Sequence, residues 1–132
     1  MPLINYWAVL VAATSAFILG GVWYSPILFG RRWLHEVKLS DGQLAQSNKA
    51  IIFGTAFLLS FATSWMFAMF LGPKPAFSFA IGAGFAAGLF WVATSFGINY
   101  LFSRRSLMLF LIDGGYHTIQ FTLIGFTIGA FG

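Results

Sequence analysis

Residues 107–131 read LMLFLIDGGYHTIQFTLIGFTIGAF. A helix that crosses a bilayer needs about 20 mainly apolar residues, and this run supplies them without a lysine or arginine. Yet Asp113, His117 and Gln120 interrupt it. A charge at the bilayer centre costs about 2.5–3.5 kcal/mol on insertion scales. On a helix these three residues stand at i, i+4 and i+7 and share a face, with Tyr116 and Thr127 on or beside it. Gly114, Thr118, Thr122, Gly125 and Gly129 fall on a different, small-residue face. If the helix starts at Leu107, Asp113 lies about 9 Å deep and His117 about 15 Å deep. The polar face is therefore expected to point into a bundle, toward a partner or a water-filled cavity.

Three more stretches are long and apolar enough to span, giving spans of about 3–29, 49–71, 75–102 and 107–131. The expected fold is an all-α integral membrane four-helix bundle with short loops, a single transmembrane domain over residues 1–132. With 59% hydrophobic and 8% charged residues and a mean hydropathy of +0.85, the chain does not read as a soluble domain. It has no cysteine, so disulfides and thiol chemistry are excluded. The opening MPLINYW lacks the basic segment of a signal peptide, and Met1 to Gly132 is expected to be the mature chain. Tyr6 and Trp7 at one end of span one, and Trp23 and Tyr24 near the other, are spaced like two aromatic belts. Pro26 helps end the helix or turn the chain, and Gly72-Pro73-Lys74-Pro75 breaks spans two and three.

Arg31, Arg32, Lys38 and Lys49 lie in the first loop and Arg104 and Arg105 in the third, against Lys74 alone in the second. This asymmetry predicts loops one and three in the cytoplasm and both termini outside. The net charge of +4 is thus a topology signal and not a nucleic-acid footprint. RRWLHEVKL mixes basic and apolar residues, so the first loop is either an interfacial segment or a solvated connection. In the interfacial reading Arg31, Arg32 and Lys38 face anionic lipid headgroups. Ser40 and Gln43 match a capping box, so helix two is expected to start near Asp41.

Ala8, Ala12, Ala16 and Gly20 make a ridge of small residues, as do Ala80, Gly84 and Gly88, and Gly125 with Gly129. Lipid supplies no hydrophobic drive between helices, so such ridges seat helix on helix, within one chain or between copies. GAGFAAG has the wrong spacing for a nucleotide loop and reads as packing. The short third loop makes spans three and four antiparallel neighbours, which puts Asn99 beside Asp113 and Thr94 and Ser95 near His117. Asp113, four residues before His117, is placed to orient the imidazole.

Asp113, Tyr116, His117, Gln120 and Asn99 therefore form either an interhelical clasp or an ion, proton or small-solute site. One buried carboxylate and one histidine leave catalysis, as a membrane enzyme acting on lipid headgroups, the third reading, and are too few for a zinc site within one chain; the sequence names no cofactor.

NYWAVLVAATSAFILGGVWYSPILFGRRW (residues 5–33) and NYLFSRRSLMLFLIDGGYH (residues 99–117) resemble the opening and closing signatures of the family called domain of unknown function 1761. The resemblance implies a small prokaryotic-type membrane protein with four spans and no established activity. Asn5, Trp23, Tyr24, Ser25, Pro26, Asn99, Gly115, Tyr116 and His117 match the signatures. Trp23, Tyr24 and Ser25 are a second candidate site, an aromatic anchor with a helix stop or the mouth of a polar cavity shared with Asn99 and Asp113. The expected function is an ion or small-solute channel or transporter working as a homo-oligomer. The alternative is an accessory protein that binds lipid or another membrane protein.

Overall fold

Three of the four long helices start where a short polar side chain covers a free N–H group of the first turn. The computed structural model describes residues 4–131, apart from the side chains of residues 41 and 44. Asn5 caps α1 (Tyr6–Trp23) by accepting from Ala8 N at 3.2 Å. After α2 (Gly30–Val37), Ser40 and Gln43 form the expected capping box at α3 (Asp41–Ala45). Asn48 then caps α4 (Lys49–Leu71) anew, so the second span starts there and is not continuous with Asp41. α5 (Phe77–Phe102) follows the proline turn, and Ser106 caps α6 (Leu107–Phe131) through Leu109 N.

Among the described residues, α1, α4, α5 and α6 are long and apolar enough to cross a membrane. The first span is shorter than expected. It ends at Trp23, because Ser25 bonds back to Val22 O and Pro26 offers no N–H, and the chain turns before Gly30. A side chain at Gly30 would meet Ser25 C at 2.7 Å, so only glycine closes this turn. The expected start at Leu3 and the end at Gly132 lie outside the described residues. The third span begins at Phe77, two residues after Pro75.

α2 and α5 both end in a Schellman motif with a basic residue at the left-handed position. Leu39 N bonds Leu34 O and Lys38 (φ 62°) bonds His35 O; Arg105 N bonds Tyr100 O and Arg104 (φ 59°) bonds Leu101 O. Glycine would be easier at both positions, and the chain carries positive charge there instead.

α6 is the centre of the bundle, with α1 on one side and α5 on the other. The small ridges are used within the chain. Ala8, Ala12 and Ala16 are fully buried. Gly84 and Gly125 bring the backbones of α5 and α6 into direct contact, and a Cβ at Gly88 would sit 2.8 Å from His117 O. The core gathers Ala12 and Ala16, Phe67 and Ala68, Ala80, Ile124 and Ile128 in the half of the bundle that holds the termini. Asn5 Nδ2 donates to Phe131 O at 2.9 Å there. α4 packs mainly on α1 and hardly touches α5.

α5 is not regular throughout. Residues Gly88–Ala93 form a π-helical turn, which inserts one residue into the α-helical register. Every position beyond it is rotated relative to the ridge before it.

Across the loop end, Glu36 of α2 accepts a hydrogen bond from Ser106 and pairs with Arg32 at 3.3 Å. The Ser106 hydroxyl foremost, then the Arg32 charge, holds the Glu36 carboxyl below its ordinary range. A depressed pKa contributes stability above the unfolded value and loses it as pH falls through the folded one. Protection factors of the α2 amides, with the intrinsic pH dependence of exchange divided out, should therefore stay constant from neutral down to about pH 5 and fall only in stronger acid; Glu36→Gln should abolish that acid step.

Replacing Gly88 by Ala should destabilise the bundle by about 1–3 kcal/mol through overpacking. Gly54→Ala, where an added Cβ meets nothing within 4 Å, should be neutral or stabilising by up to about 1 kcal/mol. Thermal unfolding of the detergent-purified variants, followed by circular dichroism, reads both.

Candidate functional site

Asp113 is buried on α6, 7% exposed, and both of its oxygens are taken. Tyr24, just beyond α1, donates to Oδ1 at 2.6 Å, and Tyr100 of α5 donates to Oδ2. One carboxylate thus joins three elements through two phenols. Gly114 and Gly115 clear the space around it: a Cβ at Gly114 would lie 3.3 Å from Ala93, and one at Gly115 3.3 Å from Trp23. Trp23 closes against α6, its Nε1 donating to Ile112 O at 3.0 Å. The Tyr116 hydroxyl crosses to Ala16 O at 3.2 Å.

His117 sits one turn deeper and half-buried. Its Nδ1 lies 2.8 Å from Gln120 Oε1, an acceptor, so Nδ1 carries the hydrogen. Phe96 stacks on the imidazole, centroids 4.7 Å apart. Gln120, not Asp113, orients the ring. Asp113, His117 and Gln120 do share one face, as the spacing predicts.

The partners on α5 differ from expectation by one position. Asn99 is exposed, and its neighbour Tyr100 reaches Asp113. Thr94 and Ser95 are exposed and bond back to Phe90 and Trp91 of their own helix, while Phe96 meets His117. The π-helical turn at Gly88–Ala93 lies just before these residues, and its inserted residue moves each contact one place along the chain.

Asp113, Tyr116 and His117 face a cavity of about 1060 Å³. Phe17 and Gly20 of α1, Phe53 and Ser60 of α4 and Phe96 of α5 form its walls. Arg31, Trp33 and Leu34 of α2 roof it, with Lys49 at the same end. Tyr24 touches both Trp33 and Tyr116 edge-on, so the aromatic ring of the cavity is continuous. Of the second candidate site, Tyr24 lines the cavity, Trp23 packs behind it, and Ser25 is used in the turn. Of the three expected headgroup residues, Arg31 lines the cavity, Arg32 pairs with Glu36, and Lys38 terminates α2.

The same elements define a family pattern. The family model described as Protein of unknown function (DUF1761) matches residues 7–129. The chain belongs to the DUF1761 family. The match covers all four spans nearly end to end, including the aromatic turn after α1 and the polar face of α6, so this DUF1761 protein holds both walls of the site within the matched segment. No curated protein and no solved structure matches it significantly.

Tyr24→Phe and Tyr100→Phe should each lower stability by roughly 1–2 kcal/mol, the range of interhelical hydrogen bonds in membranes. Combining Tyr24→Phe with Asp113→Asn should lower it by less than the sum of the two single changes. Unfolding curves of the four proteins decide it: strict additivity would mean that the pair does not act as a bond.

Proposed function

We propose that this membrane protein binds one amphiphilic small molecule in the cavity between α1, α4 and α6, as a small-solute carrier of a bacterial-type cytoplasmic membrane. The carrying observation is the cavity itself. At about 1060 Å³ it lies just above the range of ordinary small-molecule sites, about 300 to 1000 Å³, and has room for a large ligand. Its walls are mainly aromatic and aliphatic, with a few polar groups, among them Asp113, Tyr116 and His117 along the α6 side. That division suits a ligand with an apolar body and a polar end.

The same geometry argues against Asp113 as the ligand-exchanging group of an ion channel. Each oxygen already accepts from a phenol, the arrangement of a clasp. The clasp holds the floor of the cavity, and the ligand meets His117, Tyr116 and the aromatic walls. Binding needs only one copy. Passage across the bilayer is the step for which four spans are few, and a homo-oligomer would supply the missing wall.

Gly21 lines the cavity, and a Cβ there meets nothing within 4 Å, so a large side chain fills the cavity without displacing its walls. Detergent-purified protein mixed with equal amounts of phosphatidylcholine and phosphatidylglycerol should retain one lipid in native mass spectrometry. Gly21→Phe should fold with the wild-type melting temperature and retain at least about tenfold less, a loss of about 1.4 kcal/mol or more. Equal retention by Gly21→Phe would remove the cavity as the binding site.

A further inference from the structure

The end of the cavity beneath α2 has a charge pattern that the reading above does not use. Among the described residues the chain forms one ion pair of side chains, Arg32 with Glu36. Arg31, next to it on α2, is turned to the cavity, and Lys49 meets the cavity from the first turn of α4. Neither has a carboxylate partner among the described residues. The acidic group at the cavity, Asp113, has each oxygen engaged by a phenol, Tyr24 and Tyr100. Two free cations therefore stand over a tract of Phe17, Phe53 and Phe96. From Lys49 to Ser60 that tract runs about 16 Å along α4.

We propose that the ligand is an anionic phospholipid of the adjoining leaflet, its phosphate between Arg31 and Lys49 and an acyl chain laid along α4 toward Ser60. The inference rests on the cavity being a ligand site and adds the headgroup chemistry. Three observations select this occupant. The cations lie at the end of the spans, the level of lipid phosphates, and the apolar tract leads from there toward the midplane. α4 and α5, which flank the tract, hardly touch, so a chain can slide in sideways from the bilayer. An unpaired arginine and lysine at one mouth favour a net negative headgroup over a zwitterionic one.

The test is competitive binding in native mass spectrometry, with full-length protein in detergent and equimolar phosphatidylglycerol and phosphatidylcholine. Each cation near a lipid surface contributes about a fivefold preference for anionic lipid, so wild type should favour phosphatidylglycerol by about five- to twenty-fivefold. Arg31→Gln with Lys49→Gln should bring the ratio to about one while total lipid bound stays near the wild-type level. Inorganic phosphate at millimolar concentration should not displace the bound lipid. A ratio near one in wild type, or a preference that survives the double substitution, overturns the anionic assignment. Displacement by phosphate, or tighter binding of the lipophilic cation tetraphenylphosphonium than of either lipid, overturns it as well. In these cases the cavity reading still stands if Gly21→Phe abolishes binding. Undiminished lipid retention by Gly21→Phe instead removes the cavity reading, and this inference with it.

Discussion

A carboxylate buried among membrane helices must be bonded, and the loop half of this bundle is arranged around that requirement. Asp113 receives one hydroxyl from Tyr24 and one from Tyr100, so the turn after α1 and the end of α5 are both drawn to α6. With those two anchors in place, Trp23 can seat on Gly115 and Phe96 on His117. Removing the carboxylate would leave two phenols without their acceptor at the same spot, which is why the three elements behave as a unit.

The two halves of the bundle are held by different physics. In the half with the termini, Gly84, Gly88 and Gly125 let α5 and α6 approach backbone to backbone, and dispersion over many close contacts does the work that the hydrophobic effect does in water. In the loop half the side chains are large and aromatic. They keep the helices apart, and α4, with no glycine ridge facing α5, diverges. The cavity is the geometric consequence: tight packing at one end and bulky rings at the other open a space between α1, α4 and α6, which α2 covers. Glu36 and Ser106 fix that cover to the cap of α6.

DUF1761 membership extends from Trp7 to Gly129, so the tight half, the aromatic half and the roof belong to one matched unit. A lipid-like ligand fits this division of labour. On the proposed reading Asp113, bonded by Tyr24 and Tyr100, serves the fold, while His117, the rings, and Arg31 and Lys49, which have no carboxylate partner among the described residues, serve binding.

Much was legible in the sequence because it follows from local rules. Four apolar runs, the Ser40–Gln43 box, the small-residue ridges and the shared face of Asp113, His117 and Gln120 depend only on residue type and helical period. The end of the first span was misjudged, because the apolar Ile27, Leu28 and Phe29 continue a hydrophobic run that Ser25 and Pro26 have already stopped as a helix. The partners on α5 were misjudged for a subtler reason. The short third loop and regular helical depth put Asn99 beside Asp113, whereas the structure delivers Tyr100, one place further along. A π-helical turn has no strong residue signature. The close fit of Gly88 against His117 and Thr118 accompanies it, and that contact exists only once α5 and α6 are together. The sequence by itself determined which segments cross the membrane and which face of α6 is polar, because those are properties of one helix at a time. Which tyrosines meet the carboxylate, and that a cavity lies beside it, was decided by tertiary packing, because a one-residue change of helical register costs little locally and redirects every side chain beyond it.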